Sequence, residues 1–237
     1  MNTNKIHFDK VIGNRKRIVF LNSPVDVLTE EQTINLVAEY IRRKEPLHLM
    51  GVNADKFNLI QNDDHLKRIV DNCGVINADG ASVVIASQFL GESLPERVAG
   101  IDLMQDLVTL SAQKNYKIFL LGAKKEVVKK VGQVLKKTYP NLQIVGIMDG
   151  YFGRNDWSRI AHSIEMSAAD VVFVGISSPI KEYLIEYFQN MGLNSVFMGV
   201  GGSFDVISGK IPRAPKWVQK MNLEWLFRMS REPRRLF

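Results

Sequence analysis

The chain has 237 residues, of which 46% are hydrophobic and 24% are charged, a balance typical of a globular protein with a sizeable core. It contains no run of about eighteen apolar residues, which excludes a transmembrane helix, and its polar first seventeen residues predict no signal peptide. The single cysteine, Cys73, excludes an internal disulfide and fits a reducing compartment.

Short apolar segments alternate with amphipathic segments along the chain. The apolar segments predict strands at 17–21, 47–50, 74–77, 117–121, 143–147, 170–174 and 195–200. The amphipathic segments predict helices at 30–44, 102–113, 125–137, 156–167 and 179–191. This alternation predicts an α/β fold with a Rossmann-like, mostly parallel sheet and helices on both faces. We assign residues 1–207 to this domain and residues 208–237 to a basic, aromatic, helical appendage.

Glycine or a small polar residue follows nearly every predicted strand. In parallel α/β sheets, ligands bind beyond the carboxyl ends of the strands. Glycine lets a backbone approach a ligand closely, and amides at helix starts bind phosphate. The same residue types also make ordinary turns, but their recurrence at six strand ends favours a ligand that carries phosphate.

Several common kinds of site have no candidate residues. No Gly-x-Gly-x-x-Gly follows the first strand, and no Gly-Lys-Ser/Thr occurs. The four histidines are scattered and there is one cysteine, which argues against a zinc site. No Asp-x-Asp occurs either, so we expect a site without metal or other cofactor. A bound diphosphate would then be neutralised by backbone amides and arginines.

Asp79 is the candidate general base. It follows a predicted strand at the ligand side of the sheet, and Gly80 leaves room around it. Because aspartate is also a preferred N-cap, Asp79 could instead cap the helical segment 81–90. The two roles are compatible.

Seven motifs together resemble the WecG/TagA/CpsF glycosyltransferases of bacterial surface-polysaccharide synthesis, from about residue 17 to the C-terminus. In order along the chain they are NADG (77–80), PERVAGID (95–102), FLLG (119–122), DGYF (149–152), GVGGSFD (199–205), RAP (213–215) and LEWLFR (223–228). The resemblance implies transfer of N-acetylmannosamine, its uronic acid or a hexose, with inversion, from a UDP donor to a polyprenyl-diphosphate-linked sugar.

The resemblance also implies roles for individual residues. Asp79 would be the general base, Asn53 would hold the sugar or acceptor, and Arg97 would steady the charge of the donor. Asp205 would contact the uridine with Tyr151 nearby. The remaining candidate substrate-binding residues are Gly122, Lys181, Glu182, Gly201 and Gly202 in the loops, and Arg228, Arg231 and Arg234 in the tail.

Two positions depart from the family pattern. Gly51 stands where the family commonly has a threonine, so no hydroxyl is available there. Lys181 stands where the family commonly has a glutamine, which replaces a donor and acceptor by a cation that only donates. These departures leave open a catalytically altered member that binds a UDP-sugar or partners without efficient transfer.

The C-terminal residues indicate a membrane partner. Residues 210–237 contain eight Lys or Arg and two Glu, which equals the whole net charge of +6. Together with Trp217 and Trp225 they favour reversible binding to an anionic membrane, and a helix packed on the body or on a second subunit is the alternative. We expect a cytoplasmic protein, peripheral at the inner face of the plasma membrane, and a homo-oligomer is compatible with the resemblance.

Two other classes fit less well. A nucleic-acid partner would suit a basic, aromatic tail, but residues 1–209 are neutral and no nucleic-acid-binding motif occurs, so we expect no nucleic acid. A dinucleotide-dependent oxidoreductase would suit the fold class, but its glycine-rich fingerprint is missing.

Overall fold

The computed structural model describes residues 15–221, 224, 226 and 227. The strands are β1 (Arg17–Phe20), β2 (Ser23–Asp26), β3 (Leu47–Val52), β4 (Val75–Ala78), β5 (Lys117–Gly122), β6 (Gln143–Met148), β7 (Val171–Gly175) and β8 (Val196–Gly199). The helices are α1 (Glu30–Arg43), α2 (Ala54–Gln61), α3 (Asp64–Asp71), α4 (Ala81–Phe89), α5 (Gly100–Lys114), α6 (Lys125–Thr138), α7 (Trp157–Ser167), α8 (Ile180–Asn190), α9 (Ser203–Ile207) and α10 (Lys216–Lys220).

Six strands form one parallel sheet in the order β4-β3-β8-β7-β5-β6. The α/β fold predicted from the sequence is therefore confirmed. In the register, Gly51 lies opposite Asn77 and Val174 lies opposite Gly199. Since neighbouring strands run in the same direction, their carboxyl ends meet at one edge, which is where a ligand binds in such sheets.

The first predicted strand is not part of this sheet. β1 instead pairs with β2 in an antiparallel hairpin, and β2 was not predicted. Leu21 and Asn22 both have positive φ at the turn, as a tight two-residue hairpin requires. The segment was predicted correctly as a strand but was wrongly counted among the strands of the parallel sheet, because a local pattern does not identify the neighbouring strand.

Successive side chains of each strand point to opposite faces of the sheet, so the hydrophobic core is divided between the two faces. Leu47 and Leu49 pack with α1, α5 and α6 on one face. Met50 and Val52 pack with α2, α3, α4 and the hairpin on the other face. Helices α7 and α8 cover the same second face beside β5, β7 and β8. Helices therefore lie on both faces, as the continuously apolar strands predicted.

The described part of the C-terminal segment packs partly on the body. Val218 of α10 and Glu224 are buried, whereas Trp217 is 64% exposed and Met221 is 59% exposed. No described helix is both long and apolar enough to cross a bilayer. Arg228, Arg231 and Arg234 lie outside the described residues.

Candidate active site

Asp79 lies at the carboxyl end of β4, and its carboxylate reaches the start of α5. Its Oδ1 accepts a hydrogen bond of 3.0 Å from the backbone N–H of Gly100. Ala99, the N-cap of α5, offers no side-chain cap, so Asp79 satisfies one of the free amides of this helix start. The alternative that Asp79 caps α4 is wrong, because the N-cap of α4 is Gly80 and has no side-chain hydrogen bond.

The second oxygen of Asp79, Oδ2, lies between two glycines. A Cβ placed on Gly51 would be 3.5 Å from Oδ2, and one placed on Gly100 would be 3.7 Å away. Asp79 itself is half-buried. One oxygen is therefore fixed by the protein, while the other faces positions that carry no side chain, which suits a group that receives a proton from a ligand.

Arg97 contacts the backbone of Asp79 as well as the C-terminal segment. Its Nε donates to the carbonyl oxygen of Asp79 at 2.8 Å, and its Nη2 donates to Oε2 of Glu224 at 2.8 Å. On the other side of Glu224, Arg213 Nη2 donates to both carboxylate oxygens of Asp102 at 2.7 Å. Arg97 is thus already paired within the protein, beside Asp79.

Asn53 follows β3 and caps α2. Its Oδ1 accepts from the N–H of Lys56 at 3.0 Å, which leaves its side-chain amide N–H groups without a partner among the described residues. A Cβ on Gly80 would be 3.0 Å from the Cβ of Asn53. Glycine at position 80 therefore lets the loop that carries Asp79 lie close to Asn53, so two of the candidate residues are neighbours.

The ends of β5 and β6 are lined by glycine backbone. Gly122 has φ +130, and a side chain there would overlap the backbone of Gly175 at the end of β7. Gly150 N–H donates to the carbonyl oxygen of Ala123, and Tyr151 beyond it is 72% exposed. Gly122 is required here for close packing of two strand ends, and the Tyr151 side chain is exposed at the same edge of the sheet.

Gly201, Gly202 and Asp205 lie after β8. Gly201 has φ +49, a Cβ added to it would have no atom within 4 Å, and Gly202 is the N-cap of α9. Asp205 Oδ1 accepts from Lys210 Nζ at 2.7 Å. Gly201 leaves an open backbone just before the start of α9, and Asp205 pairs with a lysine on the following turn.

A buried group of charged side chains lies between α2 and α8 at the same end of the sheet. Lys56, 5% exposed, pairs with Glu182, which is fully buried. Lys181 donates to Ser178 Oγ at 2.9 Å and lies 3.4 Å from Glu182. Glycine at position 199 leaves the space that the Lys181 stem occupies. Two ammonium groups thus share one carboxylate.

The pKa values in this group reflect burial and the excess of cations. Burial, and then the neighbouring charge of Lys181, lower the pKa of Lys56 to about 8. For Glu182, burial acts to raise the pKa, but Lys181 and Lys56 outweigh it and hold the pKa at about 2. Burial lowers the pKa of His48, on β3 beside this group, to about 4, so His48 is neutral at pH 7.

A second cluster, of carboxylates, lies where α1 and α5 begin. Glu30, Glu96 and Asp106 line an open depression of about 550 Å³. Burial, and then the neighbouring carboxyl of Asp106, raise the pKa of Glu30 to about 7. No group of three side chains suited to a metal ion was found among the described residues.

Comparison with known proteins decides the family. The model of the glycosyl transferase WecG/TagA/CpsF family matches residues 18–237. The chain belongs to this family. Two N-acetylglucosaminyldiphosphoundecaprenol N-acetyl-beta-D-mannosaminyltransferases are similar to it. The one from Bacillus subtilis (strain 168) is 35% identical over 84% of this chain and 77% of the relative. The one from Bacillus spizizenii (strain ATCC 23059 / NRRL B-14472 / W23) is 32% identical over 85% and 77%.

Membership of the WecG/TagA/CpsF family confirms the resemblance, while the roles of individual residues remain predictions. Asp79, Asn53 and Arg97 lie together at the ends of β3 and β4. Lys181 and Glu182 form a separate buried group. Along the same edge of the sheet, Gly122 ends β5, Tyr151 follows β6, and Gly201, Gly202 and Asp205 follow β8.

Two buried charged residues, Lys56 and Glu224, were not predicted from the sequence. Lys56 was not predicted because lysine is rarely buried and no predicted helix or motif included it. Glu224 was treated as one charge in a basic tail. The only available signal for Glu224 was its place inside the LEWLFR motif, which gave no indication that it would be buried.

Proposed function

We propose that the protein is an inverting, UDP-sugar-dependent hexosyltransferase that acts on a polyprenyl-diphosphate-linked acceptor sugar. Family membership supports a glycosyltransferase, and the names of the two relatives support both the lipid-linked acceptor and N-acetylmannosamine as the transferred sugar. The observation that carries the mechanism is the geometry of Asp79, which has one oxygen fixed by Gly100 and the other beside Gly51.

In the proposed reaction, the acceptor hydroxyl attacks the anomeric carbon of the donor sugar. Asp79 Oδ2 takes the proton of that hydroxyl as the new carbon–oxygen bond forms. The bond between the anomeric carbon and the phosphate oxygen breaks on the opposite face, and UDP leaves with the electron pair. A β-linked product, as in the relatives' names, follows from such inversion of an α-linked donor.

The developing charge on UDP needs a stabilising partner. The open backbone at Gly201 and the adjoining N-cap Gly202 of α9 would offer amides on the same edge of the sheet as Asp79. Tyr151 and Asp205 flank the nucleotide in this proposal, and Asn53 holds a sugar hydroxyl. Arg228, Arg231 and Arg234 supply the cations from the tail, so that no metal is required.

The decisive test is a transfer assay with a panel of UDP-sugars and a short-chain lipid diphosphate that carries N-acetylglucosamine, with the product detected by mass. We expect transfer of N-acetylmannosamine without added metal and in the presence of a chelator. Asp79→Asn should reduce kcat by about a hundredfold or more while UDP affinity changes little. Full turnover in Asp79→Asn would remove Asp79 from the mechanism.

The membrane is the second proposed partner. Trp217 and Met221 remain exposed on the C-terminal segment, and aromatic residues next to basic ones suit the surface of an anionic bilayer. We therefore place the protein peripherally at the inner face of the plasma membrane. Flotation with vesicles that contain anionic lipid should carry the protein at low salt and lose it at high salt. Trp217→Ser should weaken flotation, and unchanged flotation would argue against this surface.

A catalytically altered family member is the second candidate function. The specific observations in its favour are the missing side chain at Gly51 and the cation at Lys181. Such a protein would bind UDP or a UDP-sugar in calorimetry and give neither transfer nor hydrolysis with any donor of the panel. Transfer with a single donor is enough to exclude it.

A further inference from the structure

Glu224 is a buried carboxylate that joins two arginines beside the candidate base. It is 5% exposed, its Oε2 accepts from Arg97 at 2.8 Å, and its Oε1 lies 3.7 Å from Arg213 Nε. We propose that Glu224 is a positioning residue, which couples docking of the C-terminal segment to the placement of Asp79. The inference rests on the proposed function, in which Asp79 is the base.

The contacts form a closed ring that begins and ends at Asp79. Arg97 holds the carbonyl oxygen of Asp79 and the carboxylate of Glu224. Arg213 lies between Glu224 and Asp102, which belongs to the first turn of α5. The first amide of the same turn, from Gly100, binds the carboxylate of Asp79. Both the backbone and the side chain of Asp79 are therefore held by groups that Glu224 connects.

Apart from Asp79 itself, the charges of the residues that form this ring balance. Two guanidinium groups, of Arg97 and Arg213, face two carboxylates, of Glu224 and Asp102. Arg97 therefore does not supply a spare cation to the donor while Glu224 is docked. Its planar guanidinium instead bridges the Asp79 backbone and the C-terminal segment. Arginine suits this role better than lysine because its several N–H donors are held in a fixed geometry.

Loss of the Glu224 charge should loosen Asp79 before it unfolds the domain. Without the carboxylate, Arg97 keeps only the carbonyl oxygen of Asp79 as a partner and gains freedom to move. A hydrogen bond to a charged group is among the stronger ones in a protein. Because catalysis depends steeply on the position of the base, kcat should fall while binding of the donor changes little.

The test compares the full-length protein with Glu224→Gln, which keeps the shape and removes the charge. Amide-resolved hydrogen exchange should be about tenfold faster at Gly100 in the variant, because its acceptor on Asp79 is less well held. The amide of Asp170, which bonds Lys117 at the opposite end of the sheet, serves as an internal reference. Its exchange should not change.

Kinetics give the second measurement. In Glu224→Gln, kcat should fall about tenfold while KM for the UDP-sugar stays within about twofold, and Glu224→Asp should recover part of the loss. Glu165→Gln removes an exposed carboxylate from α7 and should match the parent protein. If Glu224→Gln misfolds, Glu224→Asp tests the contact by shortening the side chain, and the same two effects should appear at smaller size.

The outcomes separate this inference from the proposed function. Unchanged exchange at Gly100, or acceleration at Gly100 and Asp170 in parallel, would overturn the coupling and leave the glycosyltransferase proposal intact. If Asp79→Asn retains full turnover, Asp79 is not the base, and selective exchange at Gly100 would then show only a structural link. The proposed function fails instead if the parent protein transfers no sugar from any UDP donor.

Discussion

Gly51 and Asp79 lie side by side on neighbouring strand ends, so closely that a Cβ on Gly51 would be 3.0 Å from the Cβ of Asp79. The family commonly has threonine at this position, and its side chain would lie against the carboxylate. In this chain the same place is empty of side-chain atoms. On the paired strand, Asn77 is 2% exposed and its Nδ2 has no partner among the described residues. The surroundings of the candidate base therefore differ from the common family pattern.

Gly51→Ala should reduce kcat by about tenfold, because Asp79 must shift by a few tenths of an ångström to admit the methyl group. The transfer assay measures this directly, with UDP affinity as a check on folding. Gly153→Ala is the matched control, since no atom lies within 4 Å of the added Cβ. Equal activity in both variants would show that the distance between positions 51 and 79 does not matter for transfer.

Lys181→Gln restores the family's residue and should change donor choice. Lys181 is the second lysine, beside Lys56, next to the single carboxylate of Glu182. The extra cation should let the parent protein accept a donor with an acidic sugar better than the variant does. We expect the variant to lose about tenfold in kcat/KM for a UDP-uronic acid relative to the neutral UDP-sugar. The same ratio in both proteins would mean that Lys181 does not face the sugar.

Glu182→Gln should destabilise the fold by about 3 kcal/mol at pH 7, because it leaves Lys56 buried and without an anion. Urea unfolding measures the free energy of unfolding. Glu186→Gln, one turn later on α8, removes a carboxylate whose partner is the partly exposed His65. It should cost less than about 1 kcal/mol, and equal losses would contradict the buried-pair interpretation.

Glu30 predicts a pH dependence of stability. Its folded pKa of about 7 lies above the ordinary value of 4.5, so between these values the folded chain holds more protons than the unfolded chain. This contribution to the free energy of unfolding is fully present below about pH 4.5 and is lost as pH rises through 7.

Glu30→Gln should therefore gain stability relative to the parent protein as pH rises from 5 to 8, measured by urea unfolding. Glu31→Gln changes the net charge equally at an exposed neighbouring position and serves as the control. A parallel pH dependence for Glu30→Gln and the parent protein would refute the raised pKa.

The order of residues along the chain was enough to predict the parallel α/β architecture and the edge of the sheet at which polar loops collect. It also identified the family and marked Asp79 as the candidate base. These conclusions depend on local periodicity and on motifs in order, and both are properties of short segments. Most predicted boundaries lie within about two residues of the observed ones, as for the strand predicted at 195–200 and observed at Val196–Gly199.

Only the folded structure shows which charged side chains contact each other. Arg97 and Glu224 are 127 residues apart, and Lys56 and Glu182 are 126 residues apart. Neither pair leaves a local pattern, because strand order and helix docking bring the partners together. The same holds for Asp79, whose carboxylate meets α5 instead of the adjacent helix α4. The choice between these helices depends on how α5 packs across the sheet, which no spacing along the chain records.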